Sequence, residues 1–215
     1  MGAKTKMLIY ANGNPRDVLR RLPELDREAS QRFASALFPD DDLVPINDGS
    51  LCDSNPPEDE LVVGCFPGVS IVAAREFAID YPSRLPMNFL EAGRGGDLYL
   101  HAMHSVVDWF AFAWWEKGTL RRSLSLSHDS GVLEDVGERL LFEIPYWQGR
   151  HPAFDEADEE LDLLPFHPLE LAEAALNEFL GYQIEGAIDD SHIDPDEIPL
   201  MQFKRVKRRS LWKPW

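Results

Sequence analysis

The segment 109–127, WFAFAWWEKGTLRRSLSLS, constrains the fold more than any other stretch of the chain. Lys117 and Gly118 form a two-residue turn between runs of strand formers, so the segment reads as a β-hairpin. Pairing outward from that turn sets Trp115 opposite Leu120, Ala113 opposite Arg122, Ala111 opposite Leu124 and Trp109 opposite Leu126. That face is mostly apolar, and its alanines leave room for a helix to approach closely. The other face carries Phe110, Phe112 and Trp114 against Ser125, Ser123 and Arg121. Aromatic bulk on both sides predicts a central hairpin covered on two sides, or one covered side and one sticky, partner-binding side.

The remaining elements follow from local pattern. Residues 4–10 read as a first strand, closed by the turn formers Asn12, Gly13, Asn14 and Pro15. Leu25, Ala29, Phe33, Ala36 and Leu37 fall on one face of a helix over about 23–38, with Pro23 in its first turn. Residues 40–60 read as an acidic loop enclosing at most a short strand at 43–46. Segments 61–66 and 69–74 form a hairpin, because Pro67 presets φ and Gly68 accepts a positive one. A short helix over 82–92 ends at Gly93, and the GRGGD cluster after it reads as a turn, since it lacks the residues and spacing of a phosphate loop. Residues 139–144 suggest one more strand. The last helix spans 168–180: Pro168 opens it, Leu169, Ala172, Leu176, Phe179 and Leu180 form its buried stripe, and Gly181 stops it. The expected fold is thus α+β, a mainly antiparallel sheet with two principal helices packed on it. Residues 1–201 form one domain and residues 202–215 a basic C-terminal tail.

Charge narrows the class of partner. A formal charge of −17 argues against a general nucleic-acid binder, because phosphates would be repelled by most of the surface. The distribution matters more: residues 40–60 hold eight acids and no Lys or Arg, 151–203 hold fifteen and none, and 204–215 reverse to six bases and no acid. Such a tail can fold back on the acidic body or reach a separate anionic partner, nucleic acid included, though six cations bind weakly at moderate salt. No window approaches the ~18 apolar residues of a membrane span, and no leader pattern opens the chain, so a cytosolic address is expected. Cys52 and Cys65 suit reduced thiols rather than a disulfide framework or a zinc site, and no cofactor is implied.

MGAKTKMLIYANGN at the start, FPGVSIV near residue 66, LHAMHSVVDWFAFAWW followed by RRSLSLSHDSG, and LPFHPLELAEAAL late in the chain resemble a family of uncharacterised actinobacterial proteins, over residues 1–201. The resemblance implies a bacterial, cytosolic origin and transfers no catalytic residue. The layout, with its Trp-Glu-Lys-Gly-containing hairpin, also resembles small immunity-type proteins of bacterial toxin systems at the level of fold.

Three constellations carry possible chemistry. His101, His104 and Asp108 can hold a divalent metal for hydrolysis if a helix places them on one face. The neighbouring Val106, Val107, Trp109 and Phe110 favour a strand, in which the two imidazoles point to opposite faces. Ser123, Ser125, Ser127, His128, Asp129 and Ser130 hold the residue types of a hydrolytic triad without a nucleophile elbow, and read as a strand and its turn. The acids between 155 and 162 lack the spacing of a calcium loop. A non-catalytic protein-binding domain, of regulatory or immunity type, is therefore the leading expectation. Its candidate contacts are Tyr146, Trp147, Arg205, Arg208, Arg209, Trp212 and Trp215. A metal-dependent hydrolase using His101, His104 and Asp108, and an assembly component docking or self-associating through the tail, are the alternatives.

Overall fold

Alternating and continuously apolar runs pair into one antiparallel sheet in the computed structural model, which describes residues 2–152 and 163–208. Its strands are β1 (Lys4–Ala11), β2 (Asp41–Ser50), β3 (Glu60–Phe66), β4 (Val69–Ala73), β5 (Asp97–His104), β6 (Trp109–Glu116), β7 (Thr119–Ser127), β8 (Gly131–Gly137) and β9 (Pro199–Lys207). They lie in the order β2-β9-β3-β4-β1-β5-β6-β7-β8. The helices are α1 (Pro15–Leu19), α2 (Arg27–Leu37), α3 (Met87–Ala92), α4 (Ile144–Trp147) and α5 (Pro168–Leu180). The class is α+β.

Both faces of the sheet are covered. Met7, Ile9, Phe110, Phe112, Leu124 and Leu126 pack under α5, while Leu8, Leu61, Val72, Leu100, Ala113 and Phe203 pack under α2 and α3. The β3–β4 hairpin turns at Pro67–Gly68, with Gly68 at a positive φ of 84°. His167 caps α5 through Nδ1, which accepts from the Leu169 N–H, and Gly181 ends it in the left-handed conformation.

The central hairpin pairs as expected only next to its turn. Trp115 faces Leu120, but Arg121 is an extra residue that forms a bulge, so Trp114 faces Arg122, Phe112 faces Leu124 and Phe110 faces Leu126. A one-residue slip transfers every later side chain to the other face. The aliphatic residues of β7 therefore join the phenylalanines of β6 beneath α5. The alanine face is covered instead by the short 3₁₀ turn Pro82–Arg84, where Glu134 accepts from the Ser83 N–H, the Ser83 hydroxyl and the buried Ser123 hydroxyl.

Four other expectations are corrected. The first long helix begins later than expected: Pro23 lies in the linker that follows Leu22, whose φ is 47°, and Asp26 caps α2 by accepting from the Ala29 N–H. Residues 40–60 are not mainly loop, because β2 runs for ten residues along the sheet edge. Residues 139–144 form no strand; Arg122 draws Glu143 into the protein, and β8 precedes them. The basic segment does not begin outside the domain at 202, because β9 inserts between β2 and β3 and runs to Lys207. Opposite charges meet there: Arg205 donates to Asp41 and Glu76 and lies over the Phe38 ring, and Lys204 pairs with Asp59 and Glu60.

His101 pins α5 to the middle of the sheet. Its Nδ1 lies 2.8 Å from the Thr5 hydroxyl and its Nε2 2.9 Å from the Ala172 carbonyl, so the neutral ring donates from Nε2 and accepts at Nδ1. Burial pushes its pKa down from 6.5 to about 4. The unfolded chain therefore binds a proton that the native ring refuses. The His101 contribution to stability is fully present above pH 6.5 and falls as pH drops toward 4, by about 3 kcal/mol in all. Burial also lowers the His104 pKa, with the same sign, and raises that of Glu173, with the opposite sign. The comparison that isolates His101 is the pH slope of urea stability in His101→Gln, which should be shallower than wild type between pH 6.5 and 4.

Candidate functional site

Alternation along β5 and β6 sends Tyr99 and Trp114 to the same face, opposite one another in register, with rings nearly parallel (7°) and centroids 6.4 Å apart. The last turn of α5 lays Phe179 against Tyr99 at 4.8 Å, and the segment after β8 brings Phe142 edge-on to Phe179 at 5.7 Å. Phe142 is fixed by its neighbour Glu143, which is fully buried and receives Nε and Nη2 of the equally buried Arg122. These four rings line an open cavity of about 490 Å³, together with Asn14 and Pro15 at the start of α1.

Two carboxylates stand on this cavity, and among the described residues no Lys, Arg or His lines it. Asp97 accepts from the indole N–H of Trp114 at 3.4 Å, and Glu178 rises from the exposed side of α5. Burial first, then Asp97, Glu178 and Glu116, raises the Tyr99 pKa, so its hydroxyl stays protonated. Leu141 forms part of the mouth and is 86% exposed. The arrangement offers open ring faces under a negative potential, beside an apolar lip.

The residues singled out from sequence do not gather here. His101 and His104 both lie on β5 and project to opposite faces, His101 beneath α5 and His104 into a separate cavity of about 410 Å³ with Lys6, Asp80, Trp109 and Asp129. Asp108 sits in the turn before β6 at a φ of 41°, 3.8 Å from His167 rather than beside either of them. A metal would need all three on one side. Tyr146 and Trp147 belong to α4 and turn inward: both rings meet Phe166 edge-on, Tyr146 stacks on His151, and Arg139 covers the Trp147 face at 4.0 Å. Arg205 is spent on Asp41 and Glu76 inside the fold. Arg208 pairs with Asp42 at the surface. Arg209, Trp212 and Trp215, and the acids between 155 and 162, lie outside the described residues. Cys52 lines another cavity, of about 650 Å³, where burial and then Asp196 raise its thiol to about 11 and keep it from ionising.

Sequence reasoning missed Tyr99, Phe142, Phe179, Asp97 and Glu178. Pairing β5 with β6 about the turn at 105–108 would have joined Tyr99 to Trp114; the other residues depend on tertiary packing.

Residues 5–203 match a family of unknown function, DUF6928. The chain belongs to that family. No curated protein and no solved structure shows significant similarity to it. No helix among the described residues is long and apolar enough to cross a membrane.

Proposed function

We propose that this DUF6928 chain is a non-catalytic protein-binding domain of regulatory or immunity type, working in a bacterial cytoplasm, and that the Tyr99–Trp114 pocket is its contact surface. The observation that carries this reading is the combination of open aromatic faces, uncompensated carboxylates and an exposed apolar lip at Leu141. Half-buried aromatics encircled by a rim are what binding hot spots are made of. Among the described residues, the pocket lining holds no Ser, Cys, His or Lys to serve as a nucleophile.

The test is affinity capture from the native cell with four baits: wild type, Trp114→Ala, Leu141→Asp, and Val106→Asp at the exposed tip of the β5–β6 hairpin. A partner that loses about tenfold or more of its affinity with the first two variants and none with the third is expected, since hot-spot truncations cost ~2 kcal/mol or more. Equal capture by all four baits would contradict the proposal. So would turnover of a glycoside, ester or phosphate substrate that Glu178→Gln abolishes.

A further inference from the structure

Taking the pocket as the contact surface, we infer that its occupant is a guanidinium group, the side chain of an arginine presented by the partner protein. The fold itself supplies the pattern. Arg122 lies over the Phe112 ring at 5.9 Å and donates to Glu143 and Asp135. Arg205 lies over Phe38 at 4.6 Å and donates to Asp41 and Glu76. In each case an aromatic face and a pair of carboxylates are completed by an arginine. The Tyr99–Trp114 pocket has the same two components, ring faces with Asp97 and Glu178, and among the described residues no cation lines it.

The chemistry selects the guanidinium over other cations. It is planar and weakly hydrated, so it stacks on an indole or phenol face while its in-plane N–H groups reach carboxylates at the rim. An ammonium holds its water more tightly and needs acceptors on several sides, whereas Leu140, Leu141, Phe142 and Phe179 offer side chains without acceptors. Asp97 uses one oxygen toward the Trp114 indole and retains the other, and Glu178 has no hydrogen-bond or ion-pair partner among the described residues to displace. The chain's charge of −17 adds a long-range attraction for a basic segment that salt weakens.

Isothermal titration of the full chain with Nα-acetyl-arginine amide tests this, against the neutral isostere Nα-acetyl-citrulline amide and against Nα-acetyl-lysine amide. The expected Kd for the arginine probe is on the order of millimolar at low salt, with the citrulline probe about tenfold weaker or more and the lysine probe several-fold weaker. Glu178→Gln, at an exposed position that leaves the core intact, should weaken the arginine probe by roughly threefold to tenfold, and Trp114→Phe should weaken it less. Citrulline or lysine binding as tightly as arginine, an affinity unchanged in Glu178→Gln, or no heat up to tens of millimolar would each overturn the inference. A partner captured through Trp114 that the arginine probe fails to compete leaves the contact surface standing and refutes the guanidinium. Arginine-probe binding with no captured partner does the reverse, and points to a free guanidino compound as ligand.

Discussion

A chain ending at Met201 is expected to lose its cooperative fold. Cutting there removes Gln202 through Lys207, most of the strand that joins β2 to the rest of the sheet. Phe203 is fully buried, and deleting a core phenylalanine alone costs ~3–5 kcal/mol, a large share of a typical domain's stability. Arg205 goes with it, leaving Asp41, which is almost wholly buried, and Glu76 without their main cation. The edge strand β2 then keeps partners only for Asp48, Gly49 and Ser50, since β9 is its neighbour in the sheet. A chain ending at Arg208 keeps every one of these contacts, the exposed Arg208–Asp42 pair included, and should keep the cooperative fold. Near-ultraviolet circular dichroism checks both: native signal for the longer chain, none for the shorter. A native spectrum from residues 1–201 would show that the basic segment is an appendage after all.

Arg122→Ala is the second large effect, at about 3–5 kcal/mol of lost stability. The guanidinium has no solvent exposure and donates through Nε and Nη2 to Glu143, which has none either, and through Nη1 to Asp135. Truncation leaves Glu143 charged, desolvated and accepting only from the Leu140 N–H. The penalty lies in the orphaned charge rather than in the pair's net attraction, so Arg122→Met combined with Glu143→Gln should recover most of it. The glutamine retains an acceptor for Leu140. Urea midpoints for the single and double variants decide the point: a double variant as weak as Arg122→Ala would place the loss in packing around Phe112 and not in charge. Because Glu143 positions Phe142, Arg122→Ala should also open the wall of the aromatic pocket.

The sequence was informative wherever one physical signal acted alone. The Pro67–Gly68 hairpin, the Gly181 helix stop and the opposed imidazoles of His101 and His104 follow from turn geometry and from strand alternation. It misled where two signals competed. In β2 and β9, long runs of opposite charge disguised strand pairing, and the charges turn out to neutralise each other across the sheet and at its margin. In β7, the extra Arg121 shifted the register, a single residue that no propensity reveals. The pocket lay half in view. Trp114 belongs to the most distinctive segment of the chain, but Phe142 reaches it only through a buried ion pair and Phe179 only through the packing of α5.

The most direct measurement is the ¹H–¹⁵N resonance of the Trp114 indole, followed as Nα-acetyl-arginine amide is added. Its N–H already points to Asp97, so an occupant between ring and carboxylate must change its shielding. Saturating movement of that signal, with the Trp109 indole beside His104 unmoved, is the predicted result. Movement confined to Trp109, or to no tryptophan at all, would contradict the account.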